Sequence, residues 1–238
     1  MRRTAKILAG VLAIAAPLAV LAVKGAAQTA VVPALWGIDP MRLLPPPPAH
    51  GSPDEAAELR ELHQIQDTRT PERLAQAQWD QDHQSWMMYR STLGPAFDVT
   101  RLPATAKLLA EISRDNIRID SDAKAAFHRM RPWAADPTIH GCTIKPSDDP
   151  MSSYPSGHTE AGYALGLTLA WLMPDKAQAI LARAKDYAYS RMVCGMHFRS
   201  DTVAGQALAT AITLEMLTSP SLQPDIGAAR AELKTAGL

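Results

Sequence analysis

Positive charge is not in surplus in this chain: 24 Lys and Arg stand against 24 Asp and Glu in 238 residues. Nucleic-acid surfaces are built on an excess of cations, so no nucleic-acid partner is expected and any cationic site must be local. Cysteine is scarce, with Cys142 and Cys194 alone. Two isolated cysteines lack the C-x-x-C spacing of zinc sites, which argues against metal binding through thiolates. There is no G-x-S-x-G elbow to present a serine nucleophile. There is also no strand-like alternation and no internal repeat, so the expected fold class is all-α, a compact helical bundle-like domain with its site at helix ends and loops. Beyond the N-terminus, the apolar segments 165–173 and 203–217 are too short or too interrupted to span a bilayer.

The N-terminus holds the one long apolar run. Arg2, Arg3 and Lys6 precede an uncharged stretch from Ile7 to Val23, and small residues follow at Gly25, Ala26 and Ala27. That order is the pattern of a secretory signal peptide over residues 1–27, with cleavage after Ala27 or Ala30. The competing reading is an uncleaved N-terminal anchor. Cleavage is the reading adopted, and it gives a periplasmic or secreted protein without stable membrane contact. Removing residues 1–27 leaves 20 basic against 24 acidic side chains, a net charge of −4. In an exported chain an even cysteine count invites a Cys142–Cys194 disulfide, two buried free thiols being the alternative.

Residues 28–53 form a Pro-rich segment that Pro45–Pro48 must hold extended, because proline fixes φ and lacks a donor. The helical domain is expected over 54–238. Ser52-Pro53-Asp54 and Thr70-Pro71-Glu72 each give a cap, a first-turn proline and a first-turn acid. The second of these helices is expected to run on through Trp79, Trp86, Met87 and Tyr89. Further helices are expected from Pro103 to Ile117 and over 121–130, 157–173, 175–193 and 201–217. A loop of about twenty residues joins the fourth helix to Pro155, and loops of that length in compact domains are often functional.

Three blocks carry the chemistry. Lys124 and Arg131 are seven apart, which on one helix puts a point charge and a fork-shaped cation on nearly the same face. Alone, that is as well read as a solvated basic face. Pro155-Ser156-Gly157-His158 opens a helix, where backbone N–H groups, the Ser156 hydroxyl and the approach allowed by Gly157 make an anion site. Alone, it reads as a capped helix with a surface histidine. Ser190-Arg191, then His197 and Asp201 four apart, add a third cation and a histidine whose one ring nitrogen a carboxylate can hold while the other stays nucleophilic. The ordered set is an inventory for gripping phosphate and passing it through a histidine. His50, His63, His83, His128 and His140 match no block and are expected to be ordinary surface or packing residues.

These blocks resemble the signature of the type 2 phosphatidic acid phosphatase superfamily: K-x6-R-P, P-S-G-H and S-R-x5-H-x3-D. The leader, Leu43-Leu44 with the four prolines, Ser153-Tyr154 and Val193-Cys194-Gly195 resemble the bacterial class A non-specific acid phosphatases in particular. The resemblance implies hydrolysis of small-molecule phosphate monoesters of broad range. Lys124, Arg131, Arg191, Ser156 and Gly157 would hold the phosphate. His197 would attack phosphorus, Asp201 would orient it, and His158 would act as general acid and base. No metal and no cofactor are expected, because the side-chain cations supply the charge. Family members often form homodimers, so a homodimer is an expectation of the resemblance only. Arg199, beside His197, is expected to face solvent. Within the superfamily the alternatives are a vanadate-dependent haloperoxidase, typically a much longer chain, and a lipid phosphatase, usually a multi-span one. A non-catalytic phosphate binder would have no use for two histidines and Asp201.

Overall fold

Proline starts much of this structure. The computed structural model describes residues 35–238; the signal-peptide reading of residues 1–27 and the first part of the 28–53 segment lie outside the described residues. Helices α1 (Pro40–Leu43), α2 (Pro53–Thr68) and α3 (Pro71–Asp82) each begin on a proline, capped by the side chains of Asp39, Ser52 and Thr70. At a first helical position the missing N–H costs nothing and the fixed φ is already helical. After a short α4 (Arg90–Leu93) come α5 (Pro103–Phe127) and a one-turn α6 (Pro132–Ala135). Then follow α7 (Gly157–Leu172), α8 (Ala177–Val193), α9 (Arg199–Thr218) and α10 (Gln223–Thr235). No strand occurs among the described residues, and no described helix is long and apolar enough to cross a membrane.

Helix α7 is the centre. Eleven of its residues are buried, on every face, and α8, α9 and α5 pack around it. A helix that is apolar all round has no stable place except inside a shell of others. Two glycines let aromatic rings close on it. The Tyr89 hydroxyl donates to the Gly162 carbonyl at 2.6 Å, and a Cβ on Gly166 would lie 2.5 Å from that same hydroxyl oxygen. Full burial of each large side chain in this core, such as Leu108, Ile112, Leu169 and Ile212, is worth about 1.5–3 kcal/mol.

Four expectations need correction. Residues 103–127 are one helix, not two, and it ends at His128, whose φ of 47° is left-handed. Helix α3 stops at Asp82; Trp86–Tyr89 is a separate 3-10 turn capped by Ser85. The segment before Pro53 is not extended throughout: Leu35–Gly37 is a 3-10 turn and Pro40–Leu43 a helical one. It docks on the domain, with Leu44 buried, Trp36 Nε1 donating to Asp115 at 2.9 Å and the Tyr154 hydroxyl donating to the Pro45 carbonyl at 2.7 Å. Finally, α10 was not expected, although Pro224-Asp225 is a start signal and Ile226, Ala229 and Leu233 bury one face.

The long loop from 136 to 156 is pinned to the end of α8. Cys142 and Cys194 form a disulfide across 52 residues of chain, and Cys142 N–H donates to the Cys194 carbonyl at 3.1 Å. Gly195, at φ 60°, reverses the chain after α8; a Cβ there would meet the His140 carbonyl oxygen at 2.9 Å. The turn that carries His197 is thereby fixed to the loop. Chain entropy for a loop of this size predicts that Cys142→Ser lowers the unfolding free energy by about 4 kcal/mol, measured in denaturant without reductant. A second variant tests the α9–α7 contact. The Cβ of Gly205→Ala would lie 2.5 Å from the Ser156 carbonyl oxygen, so destabilisation of about 1–3 kcal/mol is expected.

Candidate active site

Lys124, Arg131, Gly157, His158 and His197 line one cavity of about 280 Å³. Lys124 comes from the last turn of α5 and Arg131 from the extended residue that caps α6. The two are therefore not on one helix face, as their spacing suggests. The left-handed turn at His128 breaks the helix and folds Arg131 back toward the cavity. Arg131 is held by carbonyls: its Nη1 donates to Met196 at 3.1 Å and its Nε to Asp149 at 3.2 Å, while Nη2 donates to Ser152 Oγ at 3.1 Å. Arg191 stands behind the wall, 1% exposed, at the end of α8. Ser156 is also behind it. Its hydroxyl oxygen accepts from Thr159 N–H and from the Thr159 hydroxyl, which is helix capping.

The hydrogen bonds of His197 assign its tautomer. Nδ1 lies 2.8 Å from the Ser153 carbonyl oxygen, which can only accept, so Nδ1 carries the proton. Nε2 receives Arg131 Nη1 at 3.2 Å, and a guanidinium can only donate, so Nε2 is unprotonated and its lone pair accepts from Arg131. Asp201 is the second neighbour of Nδ1, at 3.4 Å, not its primary acceptor. Its two oxygens accept from Phe198 N–H at 2.8 Å, the Ser153 hydroxyl at 2.6 Å and Arg129 Nη1 at 2.5 Å. The carboxylate thus holds both Ser153, the actual acceptor, and the backbone next to His197. Burial raises the Asp201 pKa above the usual carboxylate value, with Arg129 and those donors opposing.

His158 is fixed from the other side. Its Nε2 lies 3.2 Å from the Gln81 carbonyl oxygen, so in the neutral ring Nε2 is protonated and Nδ1 is the base. Both histidines are held well below their usual pKa of 6.5: His158 by burial and then Arg191, His197 by burial and then Arg131, Lys124 and Arg191. All three signature cations therefore act on one imidazole. Burial pulls Arg191 down to about 10, which leaves it charged at any pH near neutral.

The PAP2 superfamily model matches residues 104–223, a span that contains every signature position from Lys124 to Asp201. The chain is 34% identical to an acid phosphatase of Zymomonas mobilis over 83% of this chain and 76% of that protein. It is 30% identical to a non-specific acid phosphatase of Providencia stuartii, over 82% and 81% of the two chains, and 27% identical to one of Salmonella typhimurium, over 80% and 78%. This chain belongs to the PAP2 superfamily.

Several residues of this PAP2 site carry no motif signal. Arg129 is the bracket behind His197: buried, it donates to Asp201, to Ser200 Oγ at 2.6 Å and to Glu58 at 2.7 Å, with its guanidinium 4.1 Å from the Phe198 ring centroid. Gln81 serves both His158, through its carbonyl, and Arg191 Nη1, through Oε1 at 3.4 Å. It is placed by its neighbour Asp80, which is fully buried and bound to Arg183 and to the signature residue Ser190. Asp120 and Glu160 also line the cavity. Arg199 pairs with Glu61 at the surface, away from the cavity, as expected. Removing one partner of a buried ion pair strands the other charge, so Arg129→Leu is expected to cost about 3–5 kcal/mol in urea unfolding.

Proposed function

We propose that this PAP2-superfamily phosphatase hydrolyses phosphate monoesters, without a metal, through a phosphohistidine on His197 Nε2. The observation that carries the reading is the assigned tautomer: an unprotonated Nε2 that accepts from Arg131, on a histidine lining the cavity with Lys124 and Arg131, with the ring proton given to Ser153. A structural histidine has no need for a bare nitrogen among cations. The acid-phosphatase names of the relatives support the same class.

In the first step the Nε2 lone pair forms a bond to phosphorus as the P–O ester bond breaks. His158 Nδ1–H protonates the departing oxygen. Lys124, Arg131, Arg191 and the N–H groups at the start of α7 spread and neutralise the charge on the three non-bridging oxygens. As Nε2 takes the phosphoryl group the ring becomes cationic, and Asp201 at 3.4 Å from Nδ1 offsets that charge. In the second step His158 Nδ1 removes a proton from water, oxygen attacks phosphorus, and the P–N pair returns to His197. Side-chain cations supply the charge neutralisation that a metal gives in other phosphatases, which is the support for metal independence. Export is part of the proposal, supported by the leader pattern and by the disulfide.

Hydrolysis of an aryl phosphate in EDTA tests the reading. His197→Ala should lose at least about 10³-fold in kcat, and His158→Ala about 10²–10⁴-fold. With an aryl leaving group that needs no acid, His158→Ala should also accumulate a base-stable phosphoenzyme, because the second step lacks its base. Absence of turnover by folded wild type from pH 4 to 8 would overturn the proposal.

The pH dependence follows from the two histidines. In the free enzyme His197 must be neutral and His158 protonated, and both pKa values lie below 6.5. kcat/KM should therefore peak on the acid side of pH 6.5, falling above it as His158 loses its proton and below it as His197 gains one.

A further inference from the structure

The cavity has a second wall that the phosphate chemistry does not use. Asn116 and Asp120 sit one turn apart on α5, Glu160 reaches in from the first turn of α7, and all three line the cavity beside Lys124. What this wall offers is acceptors. Asn116 Nδ2 donates to the Ile112 carbonyl at 2.9 Å, which turns Oδ1 the other way, where it has no partner. Neither Glu160 oxygen has a donor, although the residue is 1% exposed. Asp120 Oδ1 lies 3.1 Å from Lys124 Nζ, and Lys124 also donates to the Pro155 carbonyl. Buried oxygens left without donors cost free energy, and a wall that collects them is shaped for a donor from outside.

We propose that Asn116, Asp120 and Glu160 form a leaving-group subsite that selects phosphate esters whose alcohol carries a protonated amine close to the ester oxygen. The inference rests on the phosphatase reading above and names the substrate class of that site. An ammonium matches the wall in kind and in number. It has three donors and a positive charge, whereas a hydroxyl has one donor and none. The separation also fits a short link, because Asp120 is ion-paired with the Lys124 that would hold the phosphate. Gly157 belongs to the same design: a Cβ there would lie 2.6 Å from Asp120 Oδ2, so the glycine lets the carboxylate sit against the phosphate turn.

Proton placement is consistent with this. Burial and then the Asp120 charge raise the Glu160 pKa well above the carboxylic-acid range. Two charged carboxyls side by side are therefore disfavoured in the free protein. An ammonium brings three donors and the positive charge that two carboxyls side by side lack. A neutral hydroxyl does not.

Phosphonates test the subsite without leaving-group chemistry. 3-Aminopropylphosphonate, butylphosphonate and 3-hydroxypropylphosphonate are compared as competitive inhibitors of aryl phosphate hydrolysis. The amine is expected to bind about tenfold or more tightly than the butyl compound, with the hydroxyl compound close to butyl. Glu160→Gln and Asp120→Asn should bring the amine within about threefold of butyl while the butyl constant changes less. Equal inhibition by all three in the wild type overturns the subsite alone, since aryl turnover still upholds the phosphatase reading. An undiminished amine preference in both folded variants overturns it as well. Absence of aryl turnover removes the phosphatase reading and the subsite with it. Should a variant not fold, the wild-type ratio and Asn116→Ala decide.

Discussion

A bare imidazole nitrogen among three cations is the constraint on which the rest of this structure depends. Left to itself, a histidine in water divides its proton between two nitrogens and takes a second proton below pH 6.5. Here the Ser153 carbonyl keeps the proton on Nδ1, and Lys124, Arg131 and Arg191 disfavour a second one. A carbonyl is a better device for this than a carboxylate alone, because it can never donate and so never permits the other tautomer. It must, however, be delivered by backbone. Ser153 N–H donates to the Arg129 carbonyl at 3.0 Å and the Ser153 hydroxyl to Asp201, so one loop residue is tied at both ends before it accepts from His197.

Such a site opposes folding. Arg129, Arg191, Asp201 and Glu160 are all nearly or fully buried, and removing charge from water is costly even when it is paired. The opposing term is close by. Helix α7 begins at the P-S-G-H turn and is buried on every side, so the element whose first N–H groups are the proposed anion site also anchors the core. A glycine of the neighbouring helix shortens the distance to it. Gly205 of α9 lets the Ser156 carbonyl approach, and Ser156 N–H donates to the Asp201 carbonyl at 3.0 Å, which binds the P-S-G-H turn directly to the residue that braces His197. Core packing and site geometry are thus set by the same contacts.

What the sequence made legible is what side chains do by type and spacing. Capped proline starts locate α2 and α3, Pro103 alone locates α5, and Lys124, Arg131, His158 and His197 of the three blocks line one cavity. What it hid falls into two kinds. Helix continuity was misjudged where an unusual residue decides it: nothing in Ala-Ala-Phe-His-Arg announces that His128 takes a left-handed φ, and Lys124 and Arg131 meet because of that turn rather than because of helical period. The other kind is work done through the main chain. Gln81 and Ser153 hold the two histidines by their carbonyls, which every residue type possesses, so no side-chain pattern marks them. Arg129 was visible as a cation, yet its role as a bracket depends on Glu58, Ser200 and Asp201 arriving from α2 and α9.

The acidic residues of the cavity complete the electrostatic account. Lys124 and Arg131 at the cavity, with Arg191 behind its wall, repel one another, and in the proposed reaction a dianionic phosphate relieves that repulsion on binding. Asp120 relieves part of it beforehand by pairing with Lys124. In the proposed subsite the same carboxylate loses part of that compensation once Lys124 holds phosphate oxygens, and a second carboxyl at Glu160 supplies no positive charge in its place. On that proposal the bound anion creates, at Asp120, a demand for positive charge that a substrate ammonium would meet. The Lys124–Asp120 ion pair would then couple phosphate recognition to recognition of the alcohol, so that a grip on the phosphate group also discriminates among its esters.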